Sequence, residues 1–131
     1  MGGMERPGLD QIEEVARATV AGFPAPFAAL GQGVAIRVVE WLPDHLLDPG
    51  DAPQAQREEI TGMYEGIPLT EKSFANQPMG PDVVWLFRQP ILMEWDERDV
   101  DWQDLVAHVT VHEFAHHFGW SDDDIAAIDR W

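Results

Sequence analysis

Two short runs of apolar, mostly β-branched residues constrain the fold of this chain more than any other feature. One is GVAIRVVEW, residues 33–41, and the other is VVWLF, residues 83–87. Glycine, proline or polar residues bound each run, which predicts two strands. Because apolar residues occupy successive positions, both faces of each strand should be covered, as in a sheet with helices packed against it. The pattern therefore predicts an α+β fold with a small mixed sheet.

The segments before and between these strands differ in character. From Leu9, apolar residues recur every three or four positions up to the FPAP stretch at residues 23–26, which predicts an amphipathic N-terminal helix followed by a shorter turn. Residues 42–60 are polar and rich in proline, glycine and aspartate, so we expect a mobile loop there. Residues 61–70 carry a glycine on either side of Tyr64 and predict a weak strand.

The C-terminal part of the chain predicts two helices. Residues 97–118 read as one long helix, which Asp96 or Asp99 would cap and which Gly119 would end. Acidic residues occupy its first turns, where the helix dipole favours them. The SDDD sequence at 121–124 has the spacing of a capping box, so a short last helix should begin at its second residue.

The composition limits the possible functions. With 131 residues, of which 45% are hydrophobic, the chain is expected to form a single domain over residues 1–131 with a packed core. Its formal net charge of −16 disfavours nucleic acid and membranes as partners. No apolar run is long enough for a signal peptide or a membrane span, so a cytoplasmic location is expected. Cysteine is absent, so a metal site must use nitrogen and oxygen ligands.

Four of the five histidines lie in HVTVHEFAHHFGWSDDD, residues 108–124. His112 and His116 are four residues apart on the predicted helix, so they lie one above the other and can bind one ion. Glu113 is rotated by about 100° from His112, which keeps it beside the ion without making it a ligand. There it can accept a proton from metal-bound water. The HEFAH sequence thus matches the HExxH pattern.

The third ligand is predicted by elimination. Gly119 ends the helix three residues after His116, so the chain can turn and return a side chain to the ion. No glutamate follows Glu113, and no histidine follows His117, which points elsewhere on the helix. The remaining candidates are Asp122, Asp123, Asp124 and Asp129. An acidic first helical turn accounts for the middle two, so we predict Asp122 as the third ligand, in an HExxHxxGxxD pattern.

Other polar residues fit structural roles better than catalytic ones. His108 would lie about 12 Å along the helix axis from His116, too far to share an ion, and we expect a buried or hydrogen-bonded histidine. His45 should be an exposed loop residue. Tyr64 could donate to an oxyanion, although a packed ring is the simpler interpretation. Arg88 could bind a substrate carboxylate or be solvated.

Two imidazoles, one carboxylate and an open fourth position favour zinc and a catalytic site. The expected function is that of a zinc-dependent metallopeptidase, in which Glu113 activates a zinc-bound water and then protonates the leaving amine. Peptides or unfolded proteins would be its substrates. The alternative is a non-catalytic metal-binding or interaction module with a structural zinc site, although such a site would not need Glu113.

Three stretches carry a family resemblance: MYEGIPLTEKS at 63–73, PDVVWLFRQPI at 81–91 and VTVHEFAHHFGWSDDD at 109–124. Through them the chain resembles the small bacterial zincin-like metallopeptidases sometimes called minizincins. The resemblance implies a zincin-like α+β fold with a long active-site helix, and zinc bound by His112, His116 and Asp122. It also implies that Glu113 is the catalytic acid/base. All five methionines precede residue 94, so the methionine turn of metzincins is not expected and the substrate groove should be shallow and open.

Overall fold

The structure, a computed structural model, describes residues 6–66 and 82–128. It has an α+β fold, as predicted, with short helices around a small sheet and one long helix beneath it. In chain order the elements are α1 (Leu9–Ala21), α2 (Phe27–Gly31), β1 (Ala35–Val39), a 3-10 turn (Asp44–Leu46), α3 (Pro53–Glu59), β2 (Gly62–Glu65), β3 (Val83–Phe87), α4 (Arg88–Glu97), α5 (Trp102–Phe118) and α6 (Asp122–Ile128).

The sheet is mixed and has the strand order β1-β3-β2. Strand β1 runs parallel to β3, with Ala35 opposite Val83, and β2 runs antiparallel to β3, with Tyr64 opposite Val84. All five residues of β3 are buried, because β3 has a neighbour on each edge and cover on both faces. The strands predicted within residues 33–41 and at 83–87 are confirmed as β1 and β3. The weak strand expected within 61–70 is β2, and residues 67–70 of that prediction lie outside the described residues.

Helices α1 and α5 cover one face of the sheet. Ile12 and Ala16 of α1 are fully buried, as is Phe114 of α5. The Phe114 ring meets the ring of Phe23 edge to face, with the centroids 5.7 Å apart. Full burial of a side chain as large as that of Ile12 or Phe114 stabilises the fold by roughly 1.5–3 kcal/mol. The predicted N-terminal helix and the shorter turn after it are confirmed as α1 and α2.

The segment 42–60 covers the opposite face, and the prediction that all of it is a loop is wrong, because it contains α3. Leu42 is buried against Trp85 of β3, and α3 forms in the middle of the segment with a proline at its start, where a missing N–H costs nothing. The buried Gln56 accepts from the N–H of Asp48 at 2.7 Å and donates to its carbonyl at 2.8 Å. The Gln56 side chain thus links α3 to the preceding residues of a segment whose composition is typical of a loop.

Helix α4 follows β3 without a break and was not predicted. The sequence LFRQP reads as the end of a strand because proline usually interrupts regular structure. Pro90, however, is the third residue of α4, within the first turn of the helix, where a residue needs no N–H to satisfy an intrahelical bond. Pro90 is therefore compatible both with the end of a strand pattern and with the first turn of a helix.

The predicted long helix is correct in its C-terminal part and wrong at its start. Arg98 is extended, with φ −111° and ψ 149°, and ends α4. Asp101 then takes the position before α5, whereas Asp96 and Asp99, the two predicted caps, do not. The acidic residues from 94 to 101 are therefore divided between the end of one helix and the start of the next.

The predicted last helix is confirmed as α6. The N–H of Ser121 donates to Oδ2 of Asp124 at 3.0 Å, and the N–H of Asp124 donates to Oγ of Ser121 at 3.2 Å. These reciprocal bonds are the capping box that the SDDD sequence predicts. Within residues 6–66 and 82–128, no helix is long and apolar enough to cross a membrane.

Candidate metal and catalytic site

Helix α5 carries His112 and His116 one turn apart, about 6 Å along its axis. His112 is partly buried and His116 is exposed. Gly119 adopts a left-handed conformation, with φ 69° and ψ 33°, which glycine tolerates best. The N–H of Trp120 donates back to the carbonyl of Ala115 at 3.0 Å. The chain therefore leaves the helix in a tight turn three residues after His116, as predicted.

The start of α6 carries the predicted third ligand. Helix α6 begins at Asp122, but the side chain of this residue lies outside the described part of the structure, as does the whole of Asp129. Asp124 caps α6, in agreement with the helix-turn interpretation. Among the described residues, no three potential ligands form a metal cluster. Two imidazoles with an aspartate three residues beyond the helix-ending glycine nevertheless have the donor chemistry that zinc prefers.

Glu113 lies against strand β2. Its carboxylate accepts a hydrogen bond from the backbone N–H of Tyr64, and burial raises its pKa to about 7, although this hydrogen bond acts to lower it. Only part of the side chain is exposed. Glu113 directly follows His112 on α5, so its side chain leaves the helix about 100° around the axis from that of His112, as the HExxH spacing predicts.

Gly62 allows β2 to approach α5 this closely. A Cβ at position 62 would lie 2.8 Å from Cγ1 of Val109 and 3.1 Å from the carbonyl oxygen of Trp85. Real Cβ atoms do not tolerate the first distance, so with any side chain here Val109, the strand or the helix would have to shift. The absence of a side chain at Gly62 therefore brings the Tyr64 N–H within reach of Glu113.

A second polar cluster lies one turn further along α5. His117 is buried, with 3% exposure, and its Nδ1 is 3.2 Å from the hydroxyl of Tyr64 and 3.3 Å from Oδ2 of Asp82. Asp82 is buried as well. His117 therefore points away from the side of α5 that carries His112 and His116, as predicted. Tyr64 is a partly buried ring packed against the core, and its hydroxyl belongs to this cluster.

Sequence reasoning missed three residues of this arrangement: Gly62, Asp82 and His117. A glycine inside a strand indicates close approach of another backbone or side chain, which was a usable signal for Gly62. The spacing of four between Glu113 and His117 was also readable. Nothing local marks Asp82, whose partner is 35 positions away in the sequence.

The remaining histidines and Arg88 have defined contacts. His108 is partly buried, and its ring centroid is 4.5 Å from that of His112. His45 is half exposed, and its Nε2 is 3.6 Å from the carboxylate of Glu65, so the prediction of a merely exposed residue is incomplete. Arg88 donates to the carbonyl of Pro7 at 2.7 Å and to Glu40 at 3.0 Å. It therefore joins chain segments, and neither of its predicted roles describes it.

A separate cleft of about 330 Å³ lies between α3 and α4. Four glutamates line it, and one of them, Glu94, pairs with Arg98 at 3.2 Å. Thr61, which also lines the cleft, directly precedes β2. The cleft does not include the histidine pair of α5.

Comparison with known protein families gives one match. The family model described as zincin-like metallopeptidase matches residues 31–131, which covers the sheet, the histidine pair and the turn at Gly119. No curated protein matches the chain.

Proposed function

Because the chain belongs to the zincin-like metallopeptidase family, we propose that it is a zinc-dependent peptidase. In this proposal His112, His116 and Asp122 bind the ion, and Glu113 is the catalytic acid/base. The observation that carries the proposal is the environment of Glu113. Its side chain follows His112 on α5, accepts a hydrogen bond from the Tyr64 N–H, and has a pKa raised by burial to about 7. A structural zinc site would not need such a group.

The proposed roles of the zinc ion, Glu113 and Tyr64 follow from their chemistry. A bound zinc ion supplies a Lewis acid that polarises a carbonyl and makes a water molecule more acidic. Glu113 accepts a proton at its carboxylate oxygen and returns it to the leaving amine, which suits a group whose pKa is near the working pH. The Tyr64 N–H orients the carboxylate throughout. Glu113 is outside the proposed set of ligands, so it stays available for proton transfer.

The substrate class is a peptide or an unfolded protein. Membership of a peptidase family supports this class. Among the described strands, β2 pairs with β3 alone and lies next to Glu113, so the backbone groups of its outer edge other than the Tyr64 N–H can pair with an extended peptide. The net charge of −16 also supports polypeptide over nucleic acid.

The test combines metal analysis of the purified protein with digestion of a broad peptide library. We expect one zinc per chain, cleavage at defined peptide bonds, loss of cleavage with a chelator and recovery on addition of zinc. A protein that binds zinc but cleaves nothing in the library would favour the structural zinc module. A protein that binds no zinc would contradict the proposed ligand set.

A further inference from the structure

Tyr64 contacts two residues of α5 that are one turn apart. Its backbone N–H donates to the Glu113 carboxylate, and its hydroxyl lies 3.2 Å from Nδ1 of His117. Glu113 and His117 are four residues apart, so they share one face of the helix. That face differs from the one carrying His112 and His116. Helix α5 therefore carries the proposed ligands on one face and Glu113 and His117 on the neighbouring face, where Tyr64 contacts both of them.

The strand pairing shows that the Tyr64 N–H is not part of the ladder between β2 and β3. The N–H of Phe87 donates to the carbonyl of Thr61 at 2.9 Å, which makes that pair a hydrogen-bonded one. Antiparallel pairs alternate, so the pair of Tyr64 with Val84, three positions on, is a non-hydrogen-bonded one. The N–H of Tyr64 thus points to the outer edge of β2, where Glu113 accepts it.

The hydroxyl of Tyr64 is held by a buried pair. His117 and Asp82 are 3% and 6% exposed, and their contact joins Nδ1 to Oδ2 at 3.3 Å. A carboxylate oxygen accepts hydrogen bonds, so Asp82 favours the histidine tautomer with its proton on Nδ1, where the Tyr64 hydroxyl oxygen is a second acceptor for the same proton. Asp82 directly precedes β3, and its carbonyl accepts from the N–H of Ala35 at 2.9 Å. The orientation of His117 is therefore tied to the backbone of the central strand.

We propose that His117 and Asp82 are positioning residues, which hold Tyr64 by its hydroxyl and thereby keep its backbone N–H on the Glu113 carboxylate. Strand β2 has only four residues and lies at the edge of the described sheet, so the ladder alone constrains it weakly. We call the contacts that join Asp82 to His117 and His117 to the Tyr64 hydroxyl the clamp. It holds β2 against α5 at Tyr64, whose N–H orients Glu113, the proposed general base. Its effect on catalysis rests on the proposed function; its effect on the strand does not.

The first test is Tyr64→Phe, which removes the hydroxyl and keeps the ring. The exchange rate of the amide hydrogen of residue 64 is measured in the protein as purified and again after zinc has been added. Loss of the clamp should accelerate this amide by about three- to tenfold, the effect of weakening one hydrogen bond. The amides of Met63 and Glu65, which face β3, should change less, because the ladder remains. Glu113→Ala, which removes the acceptor, gives the reference for complete loss.

Glu65→Gln is the matched control. Glu65 is the next residue of β2, and its carboxylate contacts His45 and the Trp85 indole on the opposite face of the sheet. This variant should leave exchange at Tyr64 unchanged. Equal exchange at residue 64 in Tyr64→Phe and Glu65→Gln would overturn the proposal. Acceleration at residues 63, 64 and 65 together would also overturn it, because the hydroxyl would then stabilise β2 as a whole.

The second test distinguishes His117→Asn from His117→Leu. The asparagine amide can offer a donor near the position of Nδ1, whereas leucine cannot, so only asparagine should restore slow exchange at Tyr64. If neither histidine variant folds, Tyr64→Phe decides. For a peptide cleaved by wild type, Tyr64→Phe should lower kcat by about three- to tenfold, with KM and zinc content nearly unchanged. If wild type cleaves no peptide, the proposed function fails while the exchange measurements still test the clamp.

Discussion

Gly62 faces Glu113 across the interface between β2 and α5: a Cβ added to the glycine would lie 3.1 Å from Cγ of the glutamate. The same interface carries the hydrogen bond from Tyr64 to the Glu113 carboxylate. The position of the proposed general base therefore depends on the absence of a side chain two residues before the tyrosine that binds it.

Gly62→Ala should destabilise the fold and reduce activity further than the loss of stability explains. The methyl group would collide with Val109 and crowd Glu113, and overpacking of this kind commonly costs about 1–3 kcal/mol. Gly33→Ala is the control, since a Cβ there meets only the carbonyl of Leu30, at 3.6 Å. Urea unfolding and peptide cleavage are compared under conditions in which both variants are folded. Equal activity in the two variants would show that the approach of β2 does not matter for catalysis.

Glu113→Gln should separate metal binding from turnover. The substitution keeps the side-chain shape, removes the proton acceptor and leaves the proposed ligands intact, so zinc content should match wild type. General acid/base catalysis is commonly worth 10²–10⁴-fold in rate, so activity should fall by at least about 100-fold. Metal analysis and peptide cleavage check both parts. A variant that loses its zinc would mean that Glu113 is itself a ligand.

Asp122→Ala should weaken zinc binding by more than the roughly 10–100-fold that is typical of residues outside the coordination shell. Asp123→Ala removes the same charge from the next residue, which is exposed, and should bind zinc as wild type does. Competition with a chromogenic chelator measures both affinities. Full retention of zinc by Asp122→Ala would assign the third ligand to another group.

His108→Ala should leave the zinc stoichiometry unchanged. His108 lies about 12 Å along α5 from His116 and cannot share its ion. Its ring contacts that of His112 at 4.5 Å, so a change in affinity of less than about tenfold from altered packing is compatible with this prediction. Metal analysis after dialysis is the measurement. A zinc-free His108 variant would place this histidine among the ligands.

The stability of the metal-free protein should fall as pH rises from about 4.5 to about 7. Burial raises the pKa of Glu113 from 4.5 to about 7, so in this window the folded state holds a proton that the unfolded state releases, and the free energy of unfolding decreases with pH. At 1.36 kcal/mol per pKa unit, the decrease is at most about 3 kcal/mol. Urea unfolding of wild type and Glu113→Gln below and above this window measures it. Identical pH dependence in the two proteins would contradict the prediction.

Local sequence patterns predict much of the secondary structure because their physical causes are local. The apolar run of β3, the helical spacing in α1 and the capping box at Ser121 are each patterns among residues a few positions apart. Helix α4 and the ordered segment 42–60 were not predictable in this way. Their proline-containing sequences are compatible with either a loop or a helix start. Burial of Leu42 and Gln56 decides the structure of segment 42–60, and burial of Pro90, Ile91 and Leu92 decides that of α4.

The sequence likewise predicts one part of the candidate site and not the other. A single helix determines the relation of His112, Glu113 and His116, because three residues within one turn have fixed relative directions. The Tyr64 bond to Glu113 and the contact between His117 and Asp82 join residues 49 and 35 positions apart. No local rule specifies these pairs. They form only when β2 and the start of β3 pack against α5, so the tertiary structure alone decided how the proposed general base is held.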